Sequence, residues 1–361
     1  LSHVYDTTGR LARLDWNGTP LVSAITWNPM GQPTGWSWAF VSSGLNASRS
    51  YDTAARLTAT EFSGYVYNAA GRITSLTQQL FYPADSDPTH STITSANTSW
   101  TVSYDAVGRI TGFDNSNAAA GDTASFGYDA NGNRTSSTRV FNGQTLSRTY
   151  SGDGNSNRLL GFSQTLGSAS TSVSYRYNAN GDLTSDGLRS YAYNAEGRLS
   201  DATTGANDAS PTTRYAYNAL GQRVFKTEPQ YPPAEGDESD PGFWASLVGF
   251  FQKLWAPPLS DSEKLGYGYL YDEEGTLLAE SGTGGAQSGG SAQYIWLPTA
   301  TGPLPLAVIV NGTDFYAVHA DHLNTPRRLT DASGQPIWQW AYSAFGEEKP
   351  TLAEHRFANL E

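Results

Sequence analysis

Ten aromatic residues in this chain, at positions 5, 27, 51, 67, 104, 128, 177, 193, 217 and 271, are each followed by Asp or Asn and, with one exception, by Gly in the fifth place. The clearest copies are Tyr5-Asp6-Thr7-Thr8-Gly9-Arg10-Leu11, Tyr67-Asn68-Ala69-Ala70-Gly71-Arg72-Ile73, Tyr104-Asp105-Ala106-Val107-Gly108-Arg109-Ile110 and Tyr193-Asn194-Ala195-Glu196-Gly197-Arg198-Leu199. A unit that recurs with fixed internal chemistry is one supersecondary piece used many times. It constrains the fold to an array and argues against an enzyme built around one pocket.

Each unit reads as two short strands around a tight turn. Asp or Asn opens the turn because its side chain bonds the backbone two residues on, and Gly closes it where the chain needs φ > 0. The aromatic residue and the Leu or Ile after the turn meet across the hairpin, a pairing that contributes roughly 0.2–1 kcal/mol. The Arg stem lies over that face, with its charge in water or on the Asp. Tyr suits a repeating wall because its ring packs while its hydroxyl reaches a partner. A lone hairpin is not stable in water, so each unit needs its neighbours.

The departures are informative. Tyr51-Asp52-Thr53-Ala54-Ala55 places Ala where Gly is expected, which predicts a different turn geometry or strain. Trp27-Asn28-Pro29-Met30-Gly31 swaps the ring and pre-sets the turn with Pro29. The units at Tyr128 and Gly132, Tyr177 and Gly181, Tyr217 and Gly221, and Tyr271 and Gly275 keep the turn and shift or lose the Arg. Anchor steps of 16 and of 22 to 24 residues dominate. Larger gaps read as insertions or as two steps around a degraded copy such as Tyr150-Ser151-Gly152-Asp153-Gly154. A period near twenty with strand chemistry predicts coiled sheet and not a helical solenoid.

Composition bounds the rest. Among 361 residues, hydrophobic content of 38% and charged content of 16% suit a thin wall of short strands better than one thick core. A net charge of -12 argues against nucleic acid, whose phosphates need clustered Lys and Arg. Zero Cys excludes a disulfide framework and a thiolate metal site. No run of about 18 apolar residues predicts a membrane span. The chain starts in mid-pattern, which is expected of a piece of a longer array.

The repeat units resemble the Rhs proteins, also called YD-repeat proteins, bacterial relatives of the teneurins, over residues 1 to about 280. A second match lies in His319-Ala320-Asp321-His322-Leu323-Asn324-Thr325-Pro326-Arg327-Arg328-Leu329-Thr330-Asp331, with Gly334, Trp338, Tyr342 and Phe345-Gly346-Glu347. It is similar to the core segment of that family, in which Asp321, His322, Leu323, Thr325 and Pro326 carry the motif. The resemblance implies an all-β spiral array of β-hairpins forming part of a hollow shell. It implies three segments: the repeat array at 1–227, an acidic Pro-rich insertion at 228–264, and the last repeat with the core segment at 265–361. It also implies a C-terminal toxin cargo of the same polypeptide, with a chaperone or secretion-spike protein as further partner and export from a bacterial cytoplasm to the outside or the cell surface, often by type VI secretion. Relatives end the core with a self-cleaving Asp-Pro motif that this sequence does not reach, so neither autoproteolysis nor toxin activity carries over.

Candidate chemical sites are few. His319 and His322 flank Asp321, yet a closed metal site needs about four ligands, so hydrogen bonding within the wall is their expected role and no cofactor is called for. Neither a Cys nor a Gly-x-Ser-x-Gly elbow offers a nucleophile. Adjacent carboxylates such as Glu273-Glu274 face opposite ways on a strand and cannot flank one bond. In the insertion, Phe243, Trp244, Leu247, Phe251 and Trp255 follow a helical period between Pro241 and Pro257. This short amphipathic helix is expected to brace the shell or to grip a cargo. Leu304 to Val310, Asn311-Gly312 and Asp314 to Val318 predict a hairpin with a type I′ turn. The expected function is a non-catalytic shell segment, and the rival is a carbohydrate-binding or adhesion module whose exposed rings stack on sugars.

Overall fold

The computed structural model describes residues 1–84, 92–115, 122–141, 143–205, 210–230 and 264–353. The aromatic stretch 243–255, where a helix is expected, lies outside the described residues. Within them the chain is almost wholly strand. The first sheet runs from β1 (Ser2–Tyr5) to β15 (Ala169–Ser174), and the second from β16 (Arg176–Tyr177) to β29 (Thr351–Leu352). In both, the order of strands in space is their order in sequence. The extended run 169–177 passes from one sheet into the other at Tyr175, whose N–H still donates to the Leu160 carbonyl at 2.8 Å.

Local chemistry explains this meander. In nearly every repeat turn the Asp or Asn carboxyl or amide oxygen collects two backbone N–H groups: Asp6 Oδ1 accepts from Thr8 at 2.8 Å and from Arg10 at 3.0 Å. Asp105 repeats this with Val107 at 3.1 Å and Arg109 at 2.9 Å. Two backbone bonds close the same ring, Asp105 N–H to the Arg109 carbonyl at 3.0 Å and Gly108 N–H to the Asp105 carbonyl at 3.1 Å. Gly108 stands at φ 94°, where a Cβ is strained. The aromatic then pairs with the residue six positions on, Tyr104 with Ile110 and Tyr67 with Ile73, after a one-residue register shift. Since strands alternate in direction, these turns share one margin of each sheet.

Ala55 keeps this geometry. Its N–H donates to the Asp52 carbonyl at 3.0 Å, as the Gly does elsewhere, while its φ is 63°. Of the two outcomes expected, strain is therefore the one present. The strands β25 (Leu304–Val310) and β26 (Asp314–Ala320) form the expected hairpin, with Asn311 and Gly312 both at positive φ, as a mirror-image turn requires.

Burial is uneven. Two apolar clusters hold the core. One joins Leu14, Leu21, Trp36 and Trp38 to Ile295, Leu297, Leu306 and Ile309, and the other joins Tyr65, Leu76, Trp100 and Phe126 to Tyr342. Both connect early strands to late ones, so the last strands of the second sheet lie on the first. Among the described residues, no apolar side chain is buried between Phe126 and Ile295.

Candidate functional site: an aromatic ladder and a buried polar seam

Eight of the ten repeat anchors line up as a ladder in which the ring is tied to the repeat before it. Tyr51 Oη donates to the Pro33 carbonyl at 2.9 Å, Tyr67 to Leu57 at 2.7 Å, Tyr104 to Ile73 at 2.6 Å and Tyr128 to Ile110 at 2.7 Å. Tyr177 reaches Leu159, Tyr193 reaches Leu183 and Tyr271 reaches Arg223 in the same way. Trp27 substitutes its indole N–H, which donates to the Leu11 carbonyl at 2.8 Å. In each case the acceptor is the residue just after the preceding turn. Burial raises the phenol pKa of Tyr67, Tyr104 and Tyr128, so these groups stay protonated donors at neutral pH.

The Arg of each unit points forward. Arg56 lies 4.7 Å from the centre of the Tyr67 ring, Arg72 5.1 Å from Tyr104 and Arg109 4.8 Å from Tyr128. Arg109 also donates to the Asp129 carbonyl in the next turn at 2.8 Å, and Arg10 to that of Asn28 at 3.1 Å. Some of these arginines meet their own turn carboxylate as expected, Arg109 with Asp105 at 2.6 Å and Arg56 with Asp52 at 2.7 Å. The turn bonds, from the Arg56 and Arg109 backbone N–H first, hold Asp52 and Asp105 below the usual carboxylate range. A degraded copy is also visible: Asp153 opens a wider turn that returns at Arg158.

The second feature is a polar seam where the late strands meet the first sheet. Trp38 in β4 (Pro33–Trp38) donates from Nε1 to the Leu306 carbonyl at 2.7 Å. Arg49 in β5 (Asn46–Tyr51) donates to the Ala320 carbonyl at 3.1 Å and to that of Asp321 at 2.8 Å. Gln339 and Phe81 exchange a pair of hydrogen bonds at 2.9 and 2.8 Å. Gln78 spans the same boundary, donating to the Trp340 carbonyl and accepting from Tyr342 N–H. Arg328, in β27 (Pro326–Thr330), donates to the Gln79 carbonyl at 2.6 Å. Burial pulls the Arg328 pKa down to about 10, which leaves it charged at neutral pH.

His319 is enclosed at the centre of this seam, only 1% exposed. The Glu61 carboxylate can only accept, so His319 Nδ1–H donates to it at 2.7 Å. Nε2 lies 3.1 Å from Thr330 Oγ1. Burial holds the His319 pKa below its ordinary value against the opposing Glu61 bond. The imidazole is therefore neutral at pH 7, and Nε2 accepts from the Thr330 hydroxyl. Glu61 is also buried, the largest single influence on it and one that favours its acid form, yet the interaction with His319 and the backbone N–H groups of Glu61 and Ser48 together hold its pKa low.

The core-motif residues form one more repeat-type turn. Asp321 Oδ1 accepts from Leu323 N–H at 2.8 Å and from Thr325 N–H at 3.0 Å, and Asn324 takes the Gly position at φ 60°. Asp321 Oδ2 accepts from Arg327 Nε at 2.8 Å, and Arg327 lies 4.5 Å from the Tyr342 ring. Leu323 is exposed at the turn tip, while Pro326 begins β27. His322 packs against Tyr65 at 4.8 Å with its Nδ1 buried and unpartnered. His319 and His322 thus face different partners, and among the described residues no group of three potential metal ligands forms.

Sequence reasoning missed three things. Asp331 opens another such turn closed by Gly334, preceded by Thr330 instead of a ring; the Asp-x-x-Gly spacing was its signal. Trp296 acts as an anchor, its N–H donating to the Leu277 carbonyl at 2.8 Å, with no acidic residue after it to mark it. The seam partners Glu61, Arg49, Gln78 and Gln79 carry no motif at all.

Residues 86–231 match the Teneurin YD-shell family. No curated protein matches the chain by sequence. Among solved structures, that of a Photorhabdus luminescens Tc holotoxin pore with a mutated TccC3 is similar over 95% of this chain, with a TM-score of 0.56 at 13% identity. The crystal structure of TcdB2-TccC3-TEV is similar over 94% of it, with a TM-score of 0.56 at 13% identity. This chain spans 17% and 18% of those two chains, and the likeness is one of fold.

Proposed function

We propose that this chain, whose residues 86–231 match the Teneurin YD-shell family, has a structural shell role, and that its wall encloses a toxin segment of the same polypeptide and keeps it from proteases and targets until delivery. The observation that carries the reading is the ladder. Eight of its ten rungs are satisfied by the rung before, so the wall extends by adding hairpins and none of its residues is asked to do chemistry. The thin stretch between Phe126 and Ile295, in which no described apolar side chain is buried, suits a wall that holds a non-native chain without offering it a large apolar surface. Delivery through type VI secretion or an insecticidal toxin complex belongs to this reading, as does a division into array, insertion and core segment.

The insertion has a defined root: Thr227 pairs with Gly266, and Glu228 N–H donates to the Leu265 carbonyl at 2.8 Å. It therefore leaves and returns at the margin opposite the repeat turns, where an amphipathic helix at 243–255 would brace the wall or grip the cargo. The carbohydrate reading draws little from the ladder, because arginines already cover the faces of Tyr67, Tyr104 and Tyr128. A marginally stable reporter domain placed behind Glu361, with the rest of the shell present, tests the proposal. Enclosure predicts protease resistance of the reporter that Trp38→Ala abolishes. Digestion at the rate of the free reporter sinks it, and glycan binding lost on ring substitution would favour the rival.

A further inference from the structure

The seam carries more buried charge than a structural clamp needs. His319, on β26, faces Glu61 from the turn between β6 (Leu57–Thr60) and β7 (Ser63–Tyr67), and Arg328 and Thr330 from β27. Its ring lies 4.7 Å from Trp38 and 6.0 Å from Phe62. His322 faces Asp321, Arg327 and, from β5, Arg49, with Tyr65 of β7 against its ring. Three guanidiniums and two carboxylates thus surround two imidazoles. Tyr65 and Tyr342, hydrogen-bonded to each other at 2.7 Å, complete the cluster.

We propose that this seam is an acid-sensitive clasp: protonation of His319 and His322 releases β26 and β27 from the first sheet while the aromatic ladder stays closed. A proton on His319 Nε2 removes the acceptor for the Thr330 hydroxyl and sets a cation beside Arg328. A proton on His322 adds a charge between Arg327 and Arg49. Glu61 and Asp321 partly offset these new charges, but burial of the two rings outweighs them. Burial holds both imidazoles below their ordinary pKa. Open strands therefore take up protons that closed strands refuse. Closure is at full strength above about pH 6.5 and weakens as pH falls below it. The ladder is the internal control, since Asp52, Asp105 and Asp272 are held below the ordinary carboxylate range and titrate in a separate, more acidic window.

The clasp does not depend on whether the wall encloses a toxin. Hydrogen exchange of the full chain between about pH 7.5 and 5.0, corrected for intrinsic rates, reads it directly. Linkage predicts that protection of 314–330 falls by up to about tenfold per pH unit for each proton, roughly a hundredfold for two, while 123–152 keeps its protection. His319→Gln, which can still donate to Glu61, and His322→Gln should each remove about half of that slope. Should His319→Gln fail to fold, the parent profile and His322→Gln decide alone. Protection of 314–330 that holds constant to pH 5.0, or falls as steeply in the His322→Gln chain, overturns the proposal.

Discussion

The ends of the described chain and its middle are built from the same hairpins but are held by different forces. Residues 11–126 and 295–342 bury apolar side chains in two shared clusters, whereas the described residues of β12 (Arg134–Phe141) through β23 (Leu277–Gly282) bury none. The middle relies on turn bonds, ring-to-carbonyl bonds and guanidinium stacking, each repeated locally. The ends add a second layer. A repeat thus suffices to propagate a wall, while closing it takes non-repeating residues.

Substitutions on either side of this divide should differ in size. Trp38→Ala removes a 1% exposed ring and its bond to Leu306 and should cost about 3–5 kcal/mol. Phe162→Ala in the middle should cost nearer to about 1 kcal/mol. Equal losses in chemical denaturation would erase the distinction. Gly132→Ala comes next: φ is 90° and a Cβ there meets nothing within 4 Å, so the cost is backbone strain alone, about 1–2 kcal/mol. Tyr104→Phe deletes the 2.6 Å bond to Ile73 and should cost about 0.5–1.5 kcal/mol, with the exchange of 73–110 amides rising first. The smallest change is a gain. Ala55→Gly relieves a non-Gly residue at φ 63° and should raise stability by up to about 1 kcal/mol, whereas a loss would mean that the turn there is unstrained.

The repeat was legible because its turn is a local device: Asp or Asn, two spacers and a residue tolerant of positive φ suffice, and the pairing of Tyr67 with Ile73 follows. The direction of the arginines was half legible. Asp52 takes Arg56 as expected, but the forward stacking on Tyr67 depends on the next hairpin, which no single unit specifies. The seam was not legible. Glu61 and His319 are 258 positions apart and are brought together only when both sheets exist. Asn324 and Pro326 beside Asp321 marked a turn followed by a strand, as found, but not that this turn repeats the bonding of the others.

One cross-link tests the closure most directly. The chain has no cysteine, and Ser42 N–H donates to the Ala332 carbonyl at 2.9 Å across the seam. In a chain carrying Ser42→Cys and Ala332→Cys, mild oxidation should form an intramolecular disulfide spanning 290 positions, seen as faster migration on a non-reducing gel. Failure of the folded protein to form that bond, or formation only between two molecules, would contradict the account.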